Sequence, residues 1–183
     1  MPNWCNNSVT ISHPEPAIIL ELKQAILDDK FFQHIHPVPQ QLIDTVSGHL
    51  GDGYEQELNQ FKMQLNEKYF GYPTWYDFCT NEWSTKWDAS SAELDTLDEN
   101  TLIVTFDTAW APPIGVFEKM LDMGYSVEAY YYEPGCAFVG HWEDGDDQCY
   151  NIPGTSEEIS EAIPAYLDEM WGISESMEMW EDE

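Results

Sequence analysis

Two short stretches hold side chains that could gather a metal: EDGDD at 143–147 sets four carboxylates around one glycine, and HIH at 34–36 repeats an imidazole at alternate positions. Carboxylate oxygens suit Ca²⁺ or Mg²⁺, but the spacing and the terminal bidentate Glu of an EF-hand loop are missing, so a solvated hairpin turn is expected at 143–147. His34 and His36 stand beside Pro37 and Pro39 on a connection expected to be extended, with no H-E-x-x-H or cysteine-rich partner. Cys5 or Cys136 paired with a histidine would make a nucleophile, yet neither has a local partner. No metal, cofactor or catalytic residue is therefore expected. A different chemistry is open to MPNWCNN and the tryptophans further along. Trp4, Asn6, Asn7, Trp75, Asp77, Lys86 and Trp110 could line an aromatic, amide-rich pocket of an enzyme or small-ligand binder. The plainer reading, preferred here, is that Trp4 anchors the N-terminus on a sheet while the amides satisfy backbone groups.

Charge carries the stronger functional signal. The 183 residues contain 35 Asp and Glu, six Lys and no Arg, for a formal net charge of −29. Such a surface repels phosphate backbones and anionic lipid, so direct nucleic-acid or membrane binding is not expected. Without Arg there is no planar fork for clamping phosphate or carboxylate, which argues against phosphoryl-transfer enzymes and many 2-oxoacid enzymes. From Met120 onward 17 Asp and Glu face no Lys at all. A soluble domain needs a net charge of magnitude only about 2–8, so the surplus suggests a use. The expected use is non-catalytic: imitation of nucleic acid toward a basic host protein, such as a defence nuclease. Glu143, Asp144, Asp146, Asp147, Glu157, Glu158, Glu161, Asp168 and Glu169 are the expected contacts. Duplex DNA shows one charge per about 1.7 Å of axis, whereas carboxylates four residues apart on a helix rise once per about 6 Å. One helix is too sparse, so several acidic elements would have to lie side by side. Adaptation to high salt is the competing explanation of the charge.

The elements that must position these groups read as one α+β domain. NNSVTISH alternates as a strand; residues 14–29 follow as a helix with Pro16 in its first turn; NTLIVTFDTAW is the clearest strand. PPIGVFEKMLDMG reads as a helix, and two strands follow on either side of a Pro-Gly turn. A helix is expected over Tyr54–Tyr69 from the spacing of Leu58, Phe61, Leu65 and Tyr69, and a strand over Ser84–Asp88. Thr155 and Glu158 mark a capping box at the start of a long final helix, kinked by Pro164 near Ser160 and Glu161, with a mobile acidic tail over 173–183. The order fits a ferredoxin-like antiparallel sheet with helices on one face, a large helical insertion at about 30–82, and an extra C-terminal strand and helix. Four scattered cysteines without a CxxC pair, and no leader or membrane span, suggest reduced thiols in a cytoplasm.

MPNWCNN, FFQHIHPVP, WYDFCTNEWSTKWD and TAWAPP, in that order along the chain, resemble the YubB-like family of phage and plasmid proteins. The resemblance implies a ferredoxin-like domain and a mobile-element setting in a bacterial host, and no biochemical activity. The family pattern has a glycine before Thr-Lys-Trp, where this chain has Ser84.

Overall fold

The computed structural model describes residues 3–181. Six strands form one antiparallel sheet: β1 (Trp4–Ser12), β2 (Ser90–Asp98), β3 (Thr101–Ala109), β4 (Ser126–Glu133), β5 (Phe138–Glu143) and β6 (Asp146–Asn151), in the spatial order β2-β3-β1-β4-β5-β6. The first four strands, with α1 (Pro16–Leu27) and α6 (Ile114–Asp122), make the βαββαβ ferredoxin-like unit. The architecture is α+β, as the pattern of elements requires.

Alternation decides which side of the sheet becomes core. Cys5, Val9 and Ile11 of β1, Leu102, Val104 and Phe106 of β3, and Val127, Ala129 and Tyr131 of β4 point to the inner face, against Leu22 and Ile26 of α1 and Val116, Phe117 and Met120 of α6. The core is aromatic: Phe31, Phe32, Phe106 and Trp83 meet edge-on, and Phe117 lies 5.4 Å from Trp142.

Between α1 and β2 the insertion shares this core instead of forming a separate lobe. The extended connection expected at 31–42 in fact contains two short helices, α2 (Phe31–Ile35) and α3 (Gln40–Ile43). A distant carboxylate supplies the missing start signal for α2: Asp88 accepts the N–H groups of Phe32 and Gln33 at 2.8 and 3.0 Å. Helix α4 (Tyr54–Phe70) forms where expected, but inverted. Asn59 and Asn66 are its buried residues, clamping the backbone of Val46 and of Gln41 and Pro73, while Leu58, Phe61, Leu65 and Tyr69 face outward.

A short α5 (Trp75–Phe78) runs into a π-helical turn, Cys79–Trp83. The strand expected at 84–88 is absent; the strand is 90–98, an edge whose outer positions are exposed and acidic, which weakens its apolar signal. Ser84 adopts a left-handed φ of +64°, a conformation that favours glycine, and its Oγ accepts the Gly115 N–H at 3.1 Å. That bond satisfies a free donor at the start of α6 and offsets the backbone strain.

The chain then continues onto the opposite side of the sheet. In place of one kinked helix there are a 3-10 turn, Ser156–Glu158, then α7 (Ile159–Ala162), α8 (Ala165–Trp171) and α9 (Ile173–Glu181). The break falls at Ile163, which is extended because Pro164 follows it. Thr155 makes no side-chain cap; Glu181 instead accepts the Ser156 N–H and hydroxyl at 2.9 and 2.8 Å. Residues 173–181 of the expected mobile tail are therefore helical, and residues 182–183 lie outside the described residues. Ile159, Ile163, Leu167 and Ile173 bury against Val139, with Tyr130 and Tyr132 beneath them. No described helix is long and apolar enough to cross a membrane.

Candidate functional site

Strand register gathers the carboxylates. The side of the sheet opposite α1 and α6 carries Glu93 and Asp95 on β2, Asp107 on β3, and the directly opposed Glu128, Glu143 and Asp146 on β4, β5 and β6. With strands about 4.8 Å apart, these acids span about 24 Å across the sheet in two groups, on β2 and β3 and on β4 to β6, parted by β1, which carries no carboxylate. No strand contains a Lys or Arg. The terminal helices rest on the same side and add exposed Glu157, Glu158, Glu161 and Glu169.

Not all nine expected contacts belong to that face. Asp147 points to the inner side, where it accepts the Tyr131 hydroxyl at 2.7 Å. Asp144 sits with Gly145 in the two-residue turn between β5 and β6, and its carboxylate accepts the Val127 N–H at 2.9 Å and the Ser126 hydroxyl. Asp168 accepts the N–H and hydroxyl of Ser174, both at 2.7 Å, at the start of α9. These three are tied into the fold. Glu93 and Asp95 were missed because the edge strand β2 has weak alternation; Asp107 and Glu128 lie on β3 and β4, where the alternation was visible but their place on the face opposite α1 and α6 was not drawn from it. Glu128 also accepts the Tyr130 hydroxyl at 2.6 Å and lies 3.5 Å from His141.

Carboxylates this close repel one another. Raising NaCl from about 20 mM to about 0.5 M is expected to raise Tm by several degrees, at about 2–4 °C per kcal/mol of repulsion screened. Differential scanning calorimetry at both salts measures it. Folding that fails outright at low salt would instead mark adaptation to a salty environment.

The residues of the alternative pocket separate. Asn6 and Asn7 are consecutive on β1 and so point to opposite faces. Asn6 donates to Asp107 at 2.7 Å on the acidic side. Asn7 is buried and donates to the Cys5 carbonyl and Thr108 Oγ1, both at 2.9 Å. Thr74 caps α5 by accepting the Asp77 N–H, and the Asp77 carboxylate accepts the Thr74 hydroxyl in return. Lys86 Nζ fills an aromatic cluster, 4.3 Å from the Trp87 ring centre and 5.6 Å from that of Trp110, with Trp4 6.4 Å from Trp87. Trp75 and Lys86 line one depression of about 290 Å³; Asn6, Asn7 and Asp107 line another of about 350 Å³ beside Met170 and Trp171. Asn7→Ala is expected to cost about 1–3 kcal/mol, because it strands buried acceptors on Cys5 and Thr108. A urea melt measures the loss.

Of the four thiols, Cys136 and Cys149 are exposed, with Asn3 Nδ2 donating to Cys136 Sγ at 3.6 Å, and Cys5 and Cys79 are buried. Burial pushes the Cys79 thiol up to about 12 and the Cys5 thiol further in the same direction, so both stay protonated and weakly nucleophilic at neutral pH. His36 bonds Glu82 at 3.0 Å, and the Tyr72 hydroxyl donates to the same carboxylate. The Tyr72 bond, then that from His36, holds the Glu82 carboxyl below the usual range against the effect of burial. Among the described residues no group of three or more His, Cys, Asp and Glu side chains is arranged to hold a metal.

Residues 82–169 match the family model of the ferredoxin-like domain in Api92-like protein. That span runs from the end of the insertion through β2–β6 into α8. Among solved structures, the crystal structure of a protein api92 from Yersinia pseudotuberculosis aligns over 84% of this chain and 99% of that one, at 10% identity and a TM-score of 0.47. No curated protein matches the chain.

Proposed function

We propose that this chain is a non-catalytic binding protein whose acidic face occupies the basic, nucleic-acid-holding groove of a partner protein. The observation that carries the reading is the register of Glu128, Glu143 and Asp146, extended by Glu93, Asp95 and Asp107 on strands without a Lys or Arg. The sheet spaces Glu128, Glu143 and Asp146 one strand, about 4.8 Å, apart, closer than carboxylates four residues apart on one helix, and the terminal helices widen the same anionic side. Preorganised charge of this kind steers association with a basic partner and disfavours acidic competitors.

The resemblance to YubB-like proteins supports a phage or plasmid setting, in which the partner is a basic host protein such as a defence nuclease and the encounter takes place in the bacterial cytoplasm. The test is affinity capture from host lysate at low salt, with stepwise elution and mass spectrometry. A basic nucleic-acid-binding protein that elutes as salt rises, and is not retained by a variant carrying Glu93→Gln, Glu143→Gln and Asp146→Asn, supports the reading. Retention of the same protein by that variant contradicts it.

A further inference from the structure

The outward stripe of α4 is the largest feature that the acidic face leaves unexplained. Tyr54, Leu58, Phe61, Leu65 and Tyr69 follow one another at spacings of four, three, four and four, a continuous apolar seam along one side of a 17-residue helix. Tyr54, Phe61 and Tyr69 are 76%, 57% and 71% exposed. The opposite side is held to the protein by Asn59 and Asn66, so the seam is not a core face waiting to turn inward.

From this geometry we infer that the seam binds a second copy of the same chain, with the two α4 helices antiparallel across a two-fold axis. The seam is a palindrome about a point between Phe61 and Lys62: Tyr54 and Tyr69 are equidistant from it, Leu58 and Leu65 likewise, and Phe61 lies beside it. An antiparallel pair centred there sets Tyr against Tyr, Leu against Leu and Phe61 near its own copy, the self-matching that a two-fold interface requires.

Charge agrees with this register. Glu57 and Lys68 are eleven residues apart and so only about 20° apart around the helix, on one flank of the seam. In the antiparallel pair that flank meets its own copy, and Glu57 falls within about 3 Å along the axis of the level of the partner's Lys68, once on each side of the dyad. The helix carries three Glu and two Lys in a chain of net charge −29, so two copies repel less here than across the acidic face. A groove of about 530 Å³ lined by Gln41, Asp44, Lys62, Leu65, Asn66 and Tyr69 opens beside the C-terminal end of the seam, at the axial level of the partner's Tyr54 and on the flank opposite Glu57 and Lys68.

Sedimentation velocity of the full chain tests the pairing, in about 0.3 M NaCl to screen the net charge. A dimer is expected to grow between about 1 and 100 μM, and Phe61→Glu, exposed and outside the core, should weaken it roughly tenfold or more while leaving the circular dichroism spectrum unchanged. Glu57→Lys alone or Lys68→Glu alone should weaken it, and the double exchange should restore it. A wild-type chain that stays monomeric over this range, or a dimer indifferent to Phe61→Glu, overturns the proposal. Failure of the double exchange to restore pairing overturns the antiparallel register.

Discussion

Replacing Gly115 with valine should lower the unfolding free energy by about 3 kcal/mol and Tm by about 6–12 °C. A Cβ at this position would lie 2.2 Å from the carbonyl oxygen of Glu82 and 2.8 Å from its carbon, both backbone atoms. Neither side can yield. Val116, Phe117 and Met120 of the same helix are fully buried, and the turn that carries Glu82 is pinned by Trp83, whose indole N–H donates to the His36 carbonyl at 2.9 Å. The clash would also separate Gly115 N from Ser84 Oγ, loosening the seam between insertion and sheet. Gly154→Val serves as the control: nothing lies within 4 Å of its added Cβ, and the change should stay within about 0.5 kcal/mol. Urea melts of both variants decide the matter. Equal stability would mean that the insertion is not locked to α6.

Neutralising the acidic face should have opposite effects on stability and binding. The combination Glu93→Gln, Asp95→Asn, Glu143→Gln and Asp146→Asn removes four charges from exposed strand positions, leaving the core untouched. Relief of repulsion should raise Tm at low salt, with the gain shrinking as salt is added. If the proposed mimicry holds, affinity for the basic partner it calls for should fall roughly 10–100-fold, about 1.4–2.8 kcal/mol. A matching combination at Asp144, Asp147 and Asp168 should instead destabilise the fold, because those carboxylates accept hydrogen bonds that other elements need.

What the sequence disclosed depended on how strongly burial imposed a period. β1, β3, α1 and α6 were legible because one side of each meets the core, so Val9 and Ile11, Leu102 and Val104, or Val116 and Met120 recur at the spacing of their element. β2 and β6 are edge strands whose acids stand where an apolar period would otherwise show, and without them the row from Glu128 to Asp146 could not be seen. The spacing in α4 gave the helix and misled about its direction, since an apolar stripe at period 3.6 looks the same whether it faces a core or a partner. Amides did the burying there, through Asn59 and Asn66. Helix α2 was hidden for another reason: its N-terminal acceptor, Asp88, lies 55 residues along the chain from Gln33. The charge excess was plain from composition, but its sorting into surface acids and structural acids such as Asp147 was a matter of register.

Competition between this protein and duplex DNA for the captured partner tests the central claim most directly. Mimicry predicts that DNA displaces the chain from one shared groove, and that affinity drops steeply between about 50 and 300 mM NaCl. A ternary complex with DNA still seated, together with an affinity indifferent to salt, would contradict it.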